Sequence, residues 1–506
     1  MEKSKSIVII GSGIGGLVCG AILSKEGYKV TVLEMNRQIG GNLQTYARDK
    51  HIFDSGVHYV GGLEKGQNLY KIFQYLGIMD KLKMEKLDES AFDKIVFYSD
   101  NSEYSYAQGY DNFSKTLIAE FPQEKEAIEK YCRYLQTVCS RFPLYNLREG
   151  DYLEKSEFLE VDTKSFIESL TTNERLRNVL GGSNLLYAGV GNKTPIYVHA
   201  LVINSYIESS WRMINGGSQI AKLLSKIITE NGGTIRNRTE ITKIVVTNSL
   251  VEYVEAKDGT RFEGDYFISN AHPAKTLQMT ESDLIRSAYR KRISSLENSS
   301  SIFILNITLK PEMVPNEKCN YYCFLNDDVW SSMDYTEADW PRSYALFYSG
   351  LPAEKKYATG ITVMANMHFA DVEKWSGTFN TVGIPGDRSA EYEEFKRNKA
   401  EKLLDLVEIK FPWIRKAMLN YYTSTPLTFR DYMGTDDGSV YGIMKDYKDP
   451  LKTFISPRTK IENLLLTGQN INLHGILGVS ISSLVTCSVL LGMTEIIKKI
   501  EDAQTK

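Results

Sequence analysis

The sequence is short of the residues from which disulfide frameworks and metal centres are made. Its 506 residues include six cysteines, Cys19, Cys132, Cys139, Cys319, Cys323 and Cys487, and six histidines. No two cysteines stand at CxxC spacing, and no histidine stands at ligand spacing from them. This argues against a zinc site, a stapled secreted domain and a redox-disulfide enzyme, and no metal site is expected. A reducing, cytoplasmic setting follows as the simplest expectation. Long apolar runs are also missing. The nearest, Ile476 to Gly492, is about as long as the shortest membrane spans and carries Ser480, Ser482, Ser483, Thr486 and Ser488, so a buried helix is expected there. Charge of one sign is not in excess. A net charge of −3 gives no pull on polyanions, which excludes nucleic acid as an expected partner. Tryptophan is scarce, with 5 copies, against 31 tyrosines. Most of those tyrosines should be half-buried packing residues, with a minority lining an apolar channel. There are no internal repeats and no low-complexity tracts.

What is present begins at the amino end. Ile7-Val8-Ile9-Ile10 runs straight into Gly11-Ser12-Gly13-Ile14-Gly15-Gly16. A second apolar run, Val30-Thr31-Val32-Leu33, ends in Glu34. This order reads as strand, tight turn, helix, strand and acid. Gly11 permits the turn, Gly13 lets backbone approach a pyrophosphate, and Gly16 lets helix and strand pack closely. The anion would sit at the helix start, where free N–H groups point outward. Glu34 is placed to accept hydrogen bonds from ribose hydroxyls, and it would repel a 2′-phosphate. A secretory signal is the competing reading, because Lys3 and Lys5 precede an apolar stretch reaching Leu23. Five glycines between residues 11 and 20 make a poor signal core.

A chain of this length should hold two or more domains. Arg37, Gly40-Gly41 and Thr45 follow the acid; the paired glycines allow a turn close to a ligand, and Arg37 could meet a phosphate. Residues 52–59 read as a short strand ending in a glycine turn, and residues 67–79 as a helix. Residues 91–106 alternate as strands, and residues 113–141 read as a helix with Leu117, Ile118, Ile128, Tyr131 and Leu135 inward. Near Trp211 dinucleotide-domain character returns, with a helix over 219–231 and strands over 234–236, 240–246, 251–257 and 266–269. Residues 274–450 read as antiparallel strands plus a charged helix over 391–410. The last unit is Leu464-Leu465-Leu466, a glycine turn and a final helix. The expected architecture is α/β: a discontinuous Rossmann-like domain (1–70, 205–273 and 455–506) with an inserted α+β substrate domain (71–204 and 274–454) containing a mainly antiparallel sheet.

Together these elements resemble the FAD-dependent superfamily of amine oxidases, phytoene desaturases, carotenoid isomerases and retinol saturases, over nearly the whole chain. Three stretches resemble the isomerase and saturase branch, the retinol saturases most. These are Phe53-Asp54-Ser55-Gly56-Val57-His58-Tyr59; Ser424-Thr425-Pro426-Leu427-Thr428 with Gly438 and Tyr441-Gly442; and Leu466-Thr467-Gly468-Gln469-Asn470 with Gly475, Gly478 and Cys487. The resemblance implies non-covalent FAD. It implies an ADP half on Gly11, Ser12, Gly13, Ile14, Gly15 and Gly16, a ribose on Glu34 and Met35, and phosphate contacts from Arg37, Gly40, Gly41 and Asn42. It implies an adenine contact from the backbone at Ile241, and flavin contacts from Gly468, Gln469, Gly478 and Val479. No cysteine is placed for covalent flavin attachment, and Cys487 reads as a small buried residue.

The implied activity is oxidoreduction at carbon–carbon double bonds of an apolar polyene, carotenoid or retinoid-like. Saturation or isomerisation by reduced flavin leads; phytoene-type desaturation, or flavin and lipid binding without catalysis, are the alternatives. Candidate catalytic residues are His58, Tyr59 and His474, each with a scaffold or binding role as the favoured reading. His199, His272 and His368 are expected in core or surface roles, and Asp54 is expected to fix its turn. A second GxGxxG is missing, so electrons should come from an external donor. A polyene substrate implies peripheral membrane contact.

Overall fold

The computed structural model describes residues 5–352 and 354–505. The first four residues and the last, which fall within the outer domain bounds given above, lie outside the described residues. A five-stranded parallel sheet forms the base. Its strand order is Thr234–Arg236, Lys29–Leu33, Ser6–Ile10, Tyr266–Ser269, Leu464–Leu466. The central strand is covered on both faces, which is why it reads as an unbroken apolar run. Ile7 and Ile9 point to one side and Val8 and Ile10 to the other, as a period of two requires. On the first side lie the helices Ile14–Lys25, Ser218–Glu230 and Gly475–Leu491. On the second side lies a four-stranded sheet built from Arg261–Glu263, Leu250–Ala256, Ile241–Thr247 and Thr280–Glu281.

The inserted part is built on a seven-stranded sheet. Its order is Met418–Ser424, Ser301–Leu309, Gly360–Met367, Ser343–Tyr348, Asn320–Phe324, Asp93–Phe97, Ser102–Tyr106. Every pair is antiparallel except Asn320–Phe324 with Asp93–Phe97. Alternation divides its two faces. Phe303, Leu305, Leu346 and Val363 pack against Leu403, Leu404 and Val407 of the helix Ser389–Lys410. Ile302, Ile304, Tyr322, Phe347 and Met364 face the other way. That second face meets the dinucleotide side of the molecule. The fold is therefore the expected α/β arrangement, with a discontinuous Rossmann-like sheet and a mainly antiparallel inserted sheet.

Two local expectations need correction. The helix expected over 113–141 is two helices, Tyr110–Glu120 and Lys125–Ser140. Pro122 stands between them; it has no N–H to continue the helical ladder. The strand expected over 52–59 is shorter, His51–Asp54, and pairs with Thr45–Arg48. The tight turn that joins them uses positive φ at Asp49 and Lys50 (47° and 63°), a conformation that glycine or asparagine usually supplies. Without either residue, the hairpin carried no turn signal.

The helix Gly475–Leu491 is buried along most of its length, and all six cysteines are free and buried. Among the described residues no single helix is long and apolar enough to cross a membrane; the terminal pair bends by 119° between Leu491 and Met493.

Candidate functional site: a dinucleotide cleft that meets an apolar cavity

The cleft forms at the carboxyl edge of the parallel sheet. Gly11 takes φ +91° and donates its N–H to the Leu33 carbonyl at 2.8 Å. Gly16 must lack a side chain, because a β-carbon there would stand 2.1 Å from the Gly11 carbonyl oxygen. Ser12 is buried, and its N–H and hydroxyl both donate to Glu34 Oε2, at 3.0 and 2.5 Å. Glu34 Oε1 accepts from the Asn36 N–H at 2.8 Å. The acid at the end of the second strand thus fixes the glycine turn as well as facing the cleft. A second turn locks onto the first. Gly40 donates to the Ser12 carbonyl at 3.0 Å and bridges to Gly13, and a β-carbon on Gly41 would lie 3.2 Å from Gly13 Cα.

The cleft encloses about 2140 Å³. That exceeds the roughly 300–1,000 Å³ of ordinary small-molecule sites, as an extended dinucleotide would require. Gly11, Gly13, Ile14, Gly15, Glu34 and Met35 line one stretch, and Arg37, Gly40, Gly41 and Asn42 the next. Ile241, Gln469 and Val479 also line it. Four other expected residues stand behind the wall. Ser12 is held by Glu34, and Gly16 lies under Gly11. Gly468, at φ +100°, would press a β-carbon to 2.7 Å from Asn270 Oδ1. Gly478 keeps clear of the Leu473 carbonyl oxygen, 2.8 Å from where its β-carbon would be, and lines the neighbouring cavity rather than the cleft.

Two observations fit this cleft to a dinucleotide, one to its phosphates and one to its hydroxyl or ring N–H groups. The helix Ile14–Lys25 has Gly13 as its N-cap, no side-chain cap and no acid in its first turn, so its terminal N–H groups remain for a pyrophosphate. Asn42 Oδ1, an acceptor, is buried without a partner among the described residues, and a hydroxyl or ring N–H of the ligand would satisfy it. Asn270, at the end of the fourth strand in chain order of the parallel sheet, was not legible as a site residue. Its side chain lies against Gly11, Gly13, Gly15 and Gly468, at the centre of the cradle.

A second cavity, of about 440 Å³, abuts the first. Gly56, Val57, Met364, Tyr441, Gly475 and Ile476 line both. Its walls are mainly apolar and aromatic, including Tyr197, Leu201, Tyr206, Phe347 and Ile481. His58 and His474 both face it. His58 stacks on Phe347 at 4.8 Å between ring centres, and His474 lies 4.6 Å from Tyr441. Both Nε2 atoms are buried without a partner among the described residues. Burial holds both imidazoles down to about 4, with the Lys445 charge acting further on His474, so both are neutral near pH 7.

Tyr59 has a different setting. Its hydroxyl donates to Asp93 Oδ2 at 2.7 Å and lies 2.7 Å from the Tyr322 hydroxyl. Asn320 Nδ2 donates to Asp93 Oδ1 at 2.8 Å. Asp93 is fully buried, and burial raises it to about 7 against the hydrogen bonds of Tyr59 and Asn320 and the charge of Arg212. Tyr59 and Tyr322 line the cavity, with Asp93 behind them.

The remaining histidines have ordinary partners. His199 is buried between the hydroxyls of Tyr131 and Tyr187, at 2.7 and 2.8 Å. His272 caps the helix Pro273–Met279, and His368 bonds the Met333 carbonyl. Asp54 accepts the Gly217 N–H at 2.7 Å and so ties its turn to a distant glycine pair.

The parallel sheet, the glycine turn and the acid that holds it define the class: a Rossmann-type dinucleotide-binding protein assembled from separated pieces of chain. A family model described as an NAD(P)-binding Rossmann-like domain matches residues 9–76. All-trans-retinol 13,14-reductase of Rattus norvegicus is 26% identical, over 96% of this chain and 85% of its own. Prolycopene isomerase, chloroplastic, of Daucus carota is 24% identical, over 88% of this chain and 72% of its own. Among solved structures, the CLA-producing fatty acid isomerase from P. acnes shares the fold, with a TM-score of 0.60 and 15% identity over 96% of this chain and 98% of that one.

Gly13→Val tests the cleft. A branched side chain at the N-cap would fill the approach to the helix N–H groups, while the β-carbon itself meets only the end of the Asn270 side chain, at 2.7 Å. The variant is expected to fold, by circular dichroism, and to lose the bound dinucleotide on gel filtration. Wild-type cofactor content in a folded variant would place the site elsewhere.

Proposed function

We propose that the protein is an FAD-dependent oxidoreductase that acts on the carbon–carbon double bonds of an apolar polyene, as a saturase or an isomerase, and holds FAD non-covalently. The observation that carries this reading is the shared wall: the dinucleotide cleft and the apolar cavity meet at Gly56, Val57, Met364, Tyr441, Gly475 and Ile476. The similarity to a retinol reductase and a carotenoid isomerase supports it. Glu34 and the uncapped helix would hold the ADP half, and Arg37 is exposed along the cleft near the phosphates. Bound FAD supplies two-electron chemistry, including hydride delivery to one carbon of an alkene when reduced. An external donor would reduce it.

The chain's own part is to keep the double bond dry and to supply a proton. His58 and His474 are neutral in this cavity and serve better as walls and hydrogen-bond partners. When Asp93 is protonated it can donate to the Tyr59 oxygen, which frees the Tyr59 hydroxyl proton for the cavity and replaces it afterwards. The acid form of Asp93 prevails below about pH 7 and is lost above it. The sign for stability is the same. A carboxyl raised from 3.8 to about 7 in the folded protein binds its proton more tightly there, so its contribution to stability falls as pH rises from about 4 to about 7.

The cavity mouth fits a lipid surface. Tyr152, Leu451 and Phe454 line the cavity while remaining 49%, 64% and 57% exposed, and Leu153 beside them is 76% exposed. An apolar rim at the entrance of an apolar cavity suits a substrate taken directly from a membrane.

Three outcomes test this reading. Purified protein should be yellow, and its reduced form, incubated anaerobically with a panel of polyenes, should yield product two hydrogens heavier (saturase) or of equal mass with altered absorbance (isomerase). Loss of two hydrogens from the oxidised protein would make it a desaturase, and a colourless protein that cannot be reconstituted with FAD would remove the enzyme reading. Saturation should be level below pH 7 and fall about tenfold per unit above it; Asp93→Asn and Tyr59→Phe should slow it and abolish that inflection. Wild-type rates and profile in both variants would exclude the Asp93–Tyr59 pair. Leu451→Asp combined with Phe454→Asp should reduce co-sedimentation with phosphatidylcholine vesicles severalfold, and unchanged sedimentation would dismiss the membrane rim.

A further inference from the structure

A pure hydrocarbon would not need a cation in its binding cavity, yet this cavity has one. Lys445 lines it, on the segment that follows Tyr441-Gly442. Its Nζ donates to the Thr453 carbonyl at 3.1 Å. Burial draws its pKa down to about 8, and among the described residues no carboxylate pairs with it; Asp151, which also lines the cavity, accepts the Leu153 and Glu154 N–H groups. An ammonium in this position keeps most of its charge near neutral pH and retains two N–H donors. Lys445 is half-buried as a residue, and a charge so placed without a counter-ion is unfavourable unless something arrives to neutralise it.

A second observation concerns the same cavity. Asn472 lines it, with its Nδ2 buried and without an acceptor among the described residues. Neither Lys445 nor Asn472 lines the dinucleotide cleft, so the anion they lack is not part of the cofactor. Lys155 also lines the cavity, with its Nζ 5.9 Å from the ring centres of both Phe142 and Tyr152. That places a further cation near the exposed rim.

We propose that Lys445, with Asn472, anchors the carboxylate head of a long-chain unsaturated acid, so that the substrate is a polyenoic acid rather than a hydrocarbon or an alcohol. The proposal rests on the cavity being the polyene site. A carboxylate carries one negative charge, which one lysine balances, and it has two oxygens that accept from Nζ and Nδ2. A diphosphate would bring more charge than this lysine neutralises. An alcohol would satisfy a hydrogen bond but leave the ammonium unpaired. With the head fixed, the position of each double bond along the cavity is set by its distance from the head, which would confine the chemistry to one bond of the chain.

Equilibrium binding of parinaric acid, parinaryl alcohol and methyl parinarate to the flavin-loaded protein tests this, read by ultrafiltration. Wild type should bind the acid at least tenfold more tightly than the alcohol or the ester. Lys445→Met should keep its flavin and bind all three alike, near the affinity of the wild type for the ester. Asn472→Asp keeps the volume of the side chain and supplies the missing counter-ion. It should abolish the preference for the acid in the same way, and it serves if the methionine variant does not fold. Equal affinities in wild type, or a preference that survives in both variants, would overturn the anchor and leave the polyene reading in place. Loss of flavin from Lys445→Met would instead assign the lysine to the cofactor and overturn the anchor. If none of the three ligands binds wild type that retains flavin, the anchor and the polyene reading fall together.

Discussion

The rest of the structure depends on backbone meeting backbone where no β-carbon intervenes. Gly16 lies under the Gly11 carbonyl, Gly41 against Gly13, and Gly15 against Gly468, whose Cα would be 3.0 Å from a β-carbon on Gly15. These contacts bring together chain segments from both ends of the sequence at one edge of one sheet. Glu34 adds the polar half of the same constraint, since its carboxylate holds Ser12 between the two glycines that must approach a ligand. The helix start is left uncapped by any side chain. A cleft of this kind accepts an anion because its own donors are unsatisfied and because nothing bulky stands in the way.

The apolar cavity follows from a second simple rule, the alternation of side chains along a strand. In the seven-stranded sheet one face is committed to the helix Ser389–Lys410, so the other face must be covered by something else. Tyr322, Phe347 and Met364 are on that free face, and the cavity forms where they oppose Val57, Tyr441 and the start of the terminal helix. Cofactor cleft and cavity therefore meet at residues that belong to four separated parts of the chain: 56–57, 364, 441 and 475–476. Three of these parts fall within the stretches that carry the resemblance to saturases and isomerases, residues 53–59, 424–442 and 466–487; Met364 lies outside them.

How much could be read beforehand depended on how local each signal is. The glycine turn, the acid at residue 34 and the final strand–turn–helix unit are each contained within a few tens of residues, and each stands where it was expected. The glycines at 468 and 478 were legible as close approaches, but not what they approach: one clears Asn270 and the other clears Leu473. Asn270 gave no signal, because an asparagine after a strand is ordinary until the fold lays it across four glycines. The Asp93–Tyr59–Tyr322 cluster joins residues up to 263 apart in sequence, and Lys445 acquires meaning only once its surroundings prove to be apolar. Pro122 marks the helix break in the sequence, but the hydrophobic period continues on both sides of it and masks the signal. The hairpin over 45–54 was not, since Asp49-Lys50 lacks the residues that usually mark such a turn.

If the dinucleotide cleft opens onto the apolar cavity, a polyene bound there would reach a flavin held in the cleft. Titration of the flavin-loaded protein with a polyene, followed by the flavin visible difference spectrum, tests it most directly. A saturable perturbation of the flavin bands is expected, and it should be lost when Met364→Trp fills the shared wall. Stoichiometric polyene binding that leaves the flavin spectrum unchanged would contradict it.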